Sequence, residues 1–334
     1  MPAAVETMAW TGQEPWHREG VKVAPDLTPD EMMIAAELDW TVSKRPSYTI
    51  DTPEYGEDSR LIQAPDTFHI VRDSDNAILS SCGTGYIPTQ NKQIFDFLTR
   101  FATAADFSME TAGSLRGGKS VWALAKVPHS FALPGDDEVK GYLLFHQPHE
   151  AGHALTARYT QIRVVCNNTL QLAFNANQAS FRMSHINAFD EDMANQAAKV
   201  LGLTSESQAD FQEAATFLAS KKAKHEQVLE YVAEIYQPTV LEEYRAQREA
   251  LGEQAPLVDS FNRYPKLAVE ALENAPGALL ESSKGTWWGA LNAVTYVEDH
   301  LREGENAVYN SLIGEGSKRK AKALKLATTY AEAA

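Results

Sequence analysis

The sequence lacks the features that mark several protein classes. Two cysteines in 334 residues, Cys82 and Cys166, cannot build a disulfide framework and form no CxxC pair, so both read as buried, reduced thiols. No apolar run approaches the roughly 18–20 residues of a membrane span. The segment Met1-Pro2-Ala3-Ala4-Val5-Glu6 has neither the basic nor the apolar region of a secretion signal. These absences predict a cytoplasmic protein with no membrane partner. There is also no GxxxxGK[ST], no GxGxxG after a strand, no GxSxG elbow and no kinase set. Scattered carboxylates form no recognisable acid/base pair. The expectation is a non-enzyme with no catalytic residue, no cofactor and no metal.

Positive charge is scarce as well. Thirty Lys and Arg stand against 45 Asp and Glu, a net charge of −15, which opposes binding to phosphate backbones. The deficit is uneven, however. Residues 1–106 carry 8 basic and 17 acidic side chains (net −9), residues 107–186 carry 7 and 5 (net +2), and residues 187–334 carry 15 and 23 (net −8). Only the middle of the chain is positive.

That middle is also the most clearly patterned part. Phe107–Leu115 and Ser120–Val127 alternate as strands around Arg116-Gly117-Gly118-Lys119, where Gly-Gly supplies the positive φ of a tight hairpin. Strands Val139–His146 and Ala154–Val165 follow. Asn167-Asn168-Thr169 then reads as a helix start, with a short apolar helix over 168–177, and Ser180–Ile186 reads as one more strand. Upstream, residues 1–27 read as an irregular arm. Thr28-Pro29-Asp30-Glu31 is a capping box, Thr41–Ile50 a strand, Asp51–Pro65 a loop, and Thr67–Arg72 with Ala77–Ser81 a hairpin. The glycine-rich Gly83–Asn91 turn leads into a further helix. Downstream the chain reads as helical, with one long helix over Glu206–Tyr236 and connections at Pro238–Pro256 and Ala275–Gly285. The fold class is α+β: an antiparallel β-meander with packed helices, followed by a mainly helical C-terminal region. The expected layout is an arm (1–27), a sheet domain (28–186) and a helical region (187–334).

One motif invites a metal reading. His149-Glu150-Ala151-Gly152-His153 matches HExxH, with His146 just before it. A zincin needs an α-helix to bring both histidines onto one face. Here β-patterned runs lie on both sides, and Pro148 and Gly152 punctuate the interval as a turn. A metal-dependent hydrolase on His149, Glu150 and His153 is therefore the third-ranked reading.

The binding candidates are the cations of the middle unit. Arg116, Lys119, Lys126, Arg158, Arg163 and Arg182, with Asn168, could present a phosphate-binding surface, and Trp122, Tyr142 and Tyr159 could supply stacking faces. Strand parity separates Arg158 from Arg163 unless a bulge intervenes.

Four ordered stretches carry a resemblance. They are Tyr86–Asn91; Glu110–Gly118 with Val121–Ala125; Arg163–Leu170; and Trp287–Ala290 with Asn292–Thr295. Together they resemble the phage/plasmid-like proteins of domain-of-unknown-function 932, from about residue 8 to the C-terminus. The resemblance implies a mobile-element setting. A meander closed by a helix is in turn similar to the ring-forming single-strand annealing proteins, including the Red-beta type, which hold single-stranded DNA between a β-hairpin and a helix. The implied function is single-stranded nucleic-acid binding by a homo-oligomer in replication or recombination. The alternative is a non-catalytic protein-interaction factor that uses the helical half.

Overall fold

Alternating apolar and polar residues through the middle of the chain produce a meander at the centre of a large sheet, as a computed structural model shows. The structure describes residues 5–12, 19–51, 59–105, 107–165, 168–171, 180–202, 204–252 and 256–333. Strands β1 (Val5–Trp10) and β2 (Val21–Lys22) precede helix α1 (Pro29–Ala35), strands β3 (Val42–Asp51), β4 (Arg60–Arg72) and β5 (Ile78–Cys82), and helix α2 (Asn91–Ala105). The meander is β6 (Ser108–Leu115), β7 (Ser120–Leu133), β8 (Asp137–Pro148) and β9 (Ala154–Arg163). Two short strands, β10 (Asn168–Gln171) and β11 (Ser180–Ser184), share the outer edge of β9. The large sheet runs β10-β9-β8-β7-β6-β1-β2 with β11 beside β9, while β3, β4 and β5 form a second sheet.

Both faces of the large sheet are packed. On the first, Val121, Ala123, Leu143, Phe145 and Ala157 meet Met32 of α1, Phe95 and Leu98 of α2, and Ala197 of α3 (Glu191–Gly202). On the second, Trp122, Leu124, Tyr142 and Leu144 meet Val308, Tyr309 and Leu312 at α9 (Ala307–Leu312). The remaining helices are α4 (Thr204–Ser220), α5 (His225–Tyr236), α6 (Pro238–Leu251), α7 (Arg263–Asn274), α8 (Trp287–Tyr296) and α10 (Glu315–Glu332). They surround Trp287, Trp288, Tyr231 and Phe211, and this core also takes in Phe131, Leu133 and Val139 from one end of the sheet. No helix among the described residues is long and apolar enough to cross a membrane.

The α+β reading, the meander and the helical C-terminal region stand. Thr28 and Glu31 form the expected capping box on α1. Several elements differ from expectation. Val5–Trp10, read as part of an irregular arm, pairs antiparallel with β6. The loop read over Asp51–Pro65 is shorter, because β4 begins at Arg60 and sets Leu61 opposite Ile50. The helix read over Glu206–Tyr236 is two helices, broken where Lys222 bridges to Thr286 and the Ala223 N–H donates to the Gly285 carbonyl at 3.0 Å. Apolar spacing is helical on both sides of that break, so the pattern hid it. Pro238–Pro256, read as a connection, contains α6: Pro238 sits at the first turn, where no N–H is needed, and the exposed face leaves little apolar stripe to detect. Finally, Asn168 does not start a helix. Its backbone lies in β10 opposite Arg163, because the chain continues as a sheet edge, and residues 172–177 of the expected helix lie outside the described residues.

Candidate functional site

The β6–β7 hairpin turns as its glycines require. Arg116, Gly117 and Gly118 have φ of 57°, 68° and 82°, and a Cβ on Gly118 would stand 2.7 Å from Nη1 of Arg72. The Arg116 guanidinium does not project into solvent. It donates to Glu150 at 2.7 and 3.0 Å and lies over the Tyr309 ring at 5.1 Å.

The same contact explains the HExxH stretch, which is a turn after β8 and not a helix. Glu150 faces Arg116 and His153 is exposed. His149 is buried, with Nε2 2.9 Å from Asn91 Oδ1. Asn91 points its amide nitrogen at the Leu38 carbonyl, which fixes its oxygen as the acceptor, so His149 carries its proton on Nε2. Among the described residues no group of three or more His, Cys, Asp and Glu is placed to hold a metal ion. Burial pushes both His146 and His149 down to about 3, so each is neutral near pH 7. His146 lies 2.7 Å from Ser120 Oγ, but both groups are buried under α9 and no carboxylate backs the imidazole among the described residues. The pair has no route to a substrate. Cys82 is buried and its thiol is pushed up by burial, which makes it unreactive; Cys166 lies outside the described residues.

The seven cations of residues 107–186 divide into two groups. Arg163 is 1% exposed and is consumed by structure: Nε meets Asp137 Oδ1 at 2.6 Å, and Nη2 donates to the Gly277 carbonyl at 3.0 Å and Ser283 Oγ at 2.7 Å. Asp137 takes two further donors, Ser282 Oγ at 2.6 Å and Trp288 Nε1 at 2.9 Å. This network ties the sheet to the segment before α8, and it leaves Arg163 nothing to offer a ligand. Arg116 is held by Glu150, and Lys140 lies 3.4 Å from Glu138. The other four, Lys119, Lys126, Arg158 and Arg182, have no ion-pair partner among the described residues.

Register places three of these four on one face. Arg158 lies opposite Leu144, which lies opposite Leu124; Lys126 lies opposite Tyr142; Arg182 lies opposite Thr156. All belong to the second face, shared with Trp122 and Tyr309. Lys119 stands at the hairpin turn, and Arg163, opposite Val139, points to the first face, as parity required. The aromatic expectation fares less well: Trp122, Tyr142 and Tyr159 are only 3%, 6% and 6% exposed, so their rings are core and not stacking platforms. Of Asn168 only the backbone pairing is described. The basic run of α10 is also largely absorbed: Lys318 pairs with Glu315, Arg319 with Glu298 and Lys320 with Asp299, while Lys322 reaches the Glu234 carbonyl. The sequence reading missed these acceptors because Glu150, Asp137, Glu298 and Asp299 are distant in the chain from the cations they meet.

The fold and this surface define an α+β protein whose central sheet carries Lys126, Arg158 and Arg182 on one face. A family model described as Domain of unknown function (DUF932) matches residues 78–329. The chain therefore belongs to the domain-of-unknown-function 932 family. Neither a curated protein nor a solved structure matches it.

Proposed function

We propose that this protein binds single-stranded nucleic acid without catalysis, along the sheet face that carries Lys126, Arg158 and Arg182. The observation behind this reading is that three cations on different strands, none in a close ion pair among the described residues although Lys126 feels the Glu110 carboxylate, share one face in a chain of net charge −15. An acidic protein has carboxylates to spare for neutralising surface cations, so an unneutralised set suits an external anion. The surface is smaller than the sequence suggested, since Arg116 and Arg163 are committed internally and the rings of Trp122, Tyr142 and Tyr159 are buried. Binding rests on phosphate contacts and is indifferent to base sequence. The resemblance to phage/plasmid-like proteins is the support for a mobile-element role in replication or recombination and for action as an oligomer.

Fluorescence anisotropy with a labelled oligothymidine tests the reading. Wild type binds at low salt, and Lys126→Glu/Arg182→Glu binds at least tenfold more weakly, while His149→Ala, if folded, binds as wild type does. Equal binding by wild type and the double variant contradicts it. A second reading, a protein-interaction factor, has its own support in a groove of about 850 Å³ between α5 and α6, lined by Leu229, Tyr244, Leu257 and Val258. Co-purification of a host protein that is lost in Leu229→Asp, with no oligonucleotide binding, favours that reading.

A further inference from the structure

A guanidinium stays charged at any pH a protein survives, so burying one without a partner is costly. The other deeply placed cations obey this rule. Arg163 has Asp137, Lys320 has Asp299, and Arg72 has Glu6 and Asp75. Arg158 does not. Its residue is half-buried overall, but the tip atom Nη2 is sealed from solvent, and the side chain has neither a hydrogen bond nor an ion pair among the described residues. The charged or titratable groups that act on Arg158 offer no compensation. Among the described residues these are His146, which is neutral, and Lys320, whose charge Asp299 balances. Burial alone pulls the Arg158 guanidinium down to about 10.

The surroundings complete a binding geometry. Ser180 of β11 lies directly opposite Arg158, and Thr156 lies two residues along β9 on the same face. Arg182 is opposite Thr156 and hence a diagonal neighbour of Arg158, about 7–8 Å away between backbones. Arg182 is exposed, so the pair presents one sealed and one open guanidinium on adjacent strands.

We infer that Arg158 and Arg182 form an oxyanion seat for a phosphate group, in which Arg158 is the inner contact and Arg182 the outer one. Two guanidinium forks suit the several oxygens of a phosphate better than ammonium groups would, and Thr156 shares their face of the sheet. Seated phosphate supplies the counter-charge that the fold leaves out. The identity of the phosphate as nucleic-acid backbone rests on the function proposed above; the seat itself also takes free inorganic phosphate.

The experiment compares full-length wild type, Arg158→Met, Arg158→Lys and Arg182→Ala in inorganic phosphate and in chloride at matched ionic strength, with oligothymidine binding measured in parallel. In chloride, Arg158→Met is at least as stable as wild type, because a sealed, unpaired charge has been removed with its volume kept. Phosphate at ten times its Kd raises the wild-type Tm by about 3 °C. It leaves Arg158→Met unmoved and raises Arg158→Lys and Arg182→Ala by less. A Tm rise of equal size in wild type and Arg158→Met, or no rise in either, overturns the seat, as does a large loss of stability of Arg158→Met in chloride. If the seat fails while oligothymidine still binds, the nucleic-acid reading survives without it. If phosphate acts through Arg158 but no oligonucleotide binds at low salt, the seat stands and the nucleic-acid reading falls.

Discussion

At the scale of single residues, burial decides which polar groups act and which only hold the fold. His146 and His149 both stay neutral down to about 3 in the folded state. The unfolded chain takes up these protons below about 6.5, so their contribution is complete above that pH and declines as pH falls toward 3. At pH 5 the loss is about 2 kcal/mol per histidine. The urea midpoint therefore falls between pH 7 and pH 5, and His146→Gln shrinks that difference by about half; an unchanged difference contradicts the assignment. The Asp137–Arg163 pair gives a second residue-scale prediction. Asp137→Ala strands a guanidinium that is 1% exposed and costs about 3–5 kcal/mol, whereas Asp137→Leu/Arg163→Met regains most of it in urea titrations. Sequence parity correctly sent Arg158 and Arg163 to opposite faces. It could not reveal that Asp137, 26 residues before Arg163, waits for it in the core.

At the scale of elements, the legible parts were those whose signal is local. The Arg116–Lys119 turn, the strands beside it and the α1 capping box all follow from short-range chemistry, and the structure has them. What stayed hidden depends on distant partners: β1 is a strand because β6 accepts it, and α4 ends where the 285–287 segment crosses it. The stretch Glu110–Gly118 that carries part of the family resemblance has a packing reason of the same kind. A Cβ on Gly113 would lie 2.3 Å from the Trp122 ring and 2.5 Å from the Thr7 carbonyl oxygen of β1. Gly113→Ala thus forces apart two neighbouring strands and costs about 1–3 kcal/mol, read as a lower melting temperature. Thr28→Ala, which removes the α1 cap, costs about 1 kcal/mol by the same readout.

At the scale of the whole molecule, two layers of packing leave little of the sheet unused. Helices α1 to α3 close the first face and α9 closes the centre of the second, the face that also carries Lys126, Arg158 and Arg182. The charge map of the sequence located this region in outline, since residues 107–186 are the one positive segment of the three compared. It overcounted the cations, because charge totals are blind to internal pairing. Three phosphate contacts on a single strand predict a slope of about −2 for log K against log salt, far shallower than seven cations would give. A slope near −5 points to cations outside this face.

The most direct measurement is hydrogen–deuterium exchange of the protein with and without a saturating oligothymidine at low salt. The account predicts slowed exchange confined to Ala154–Arg163, Ser180–Ser184 and the Lys126 region of β7, with none along α5 and α6. Protection along α5 and α6 instead, or no protection anywhere, contradicts it.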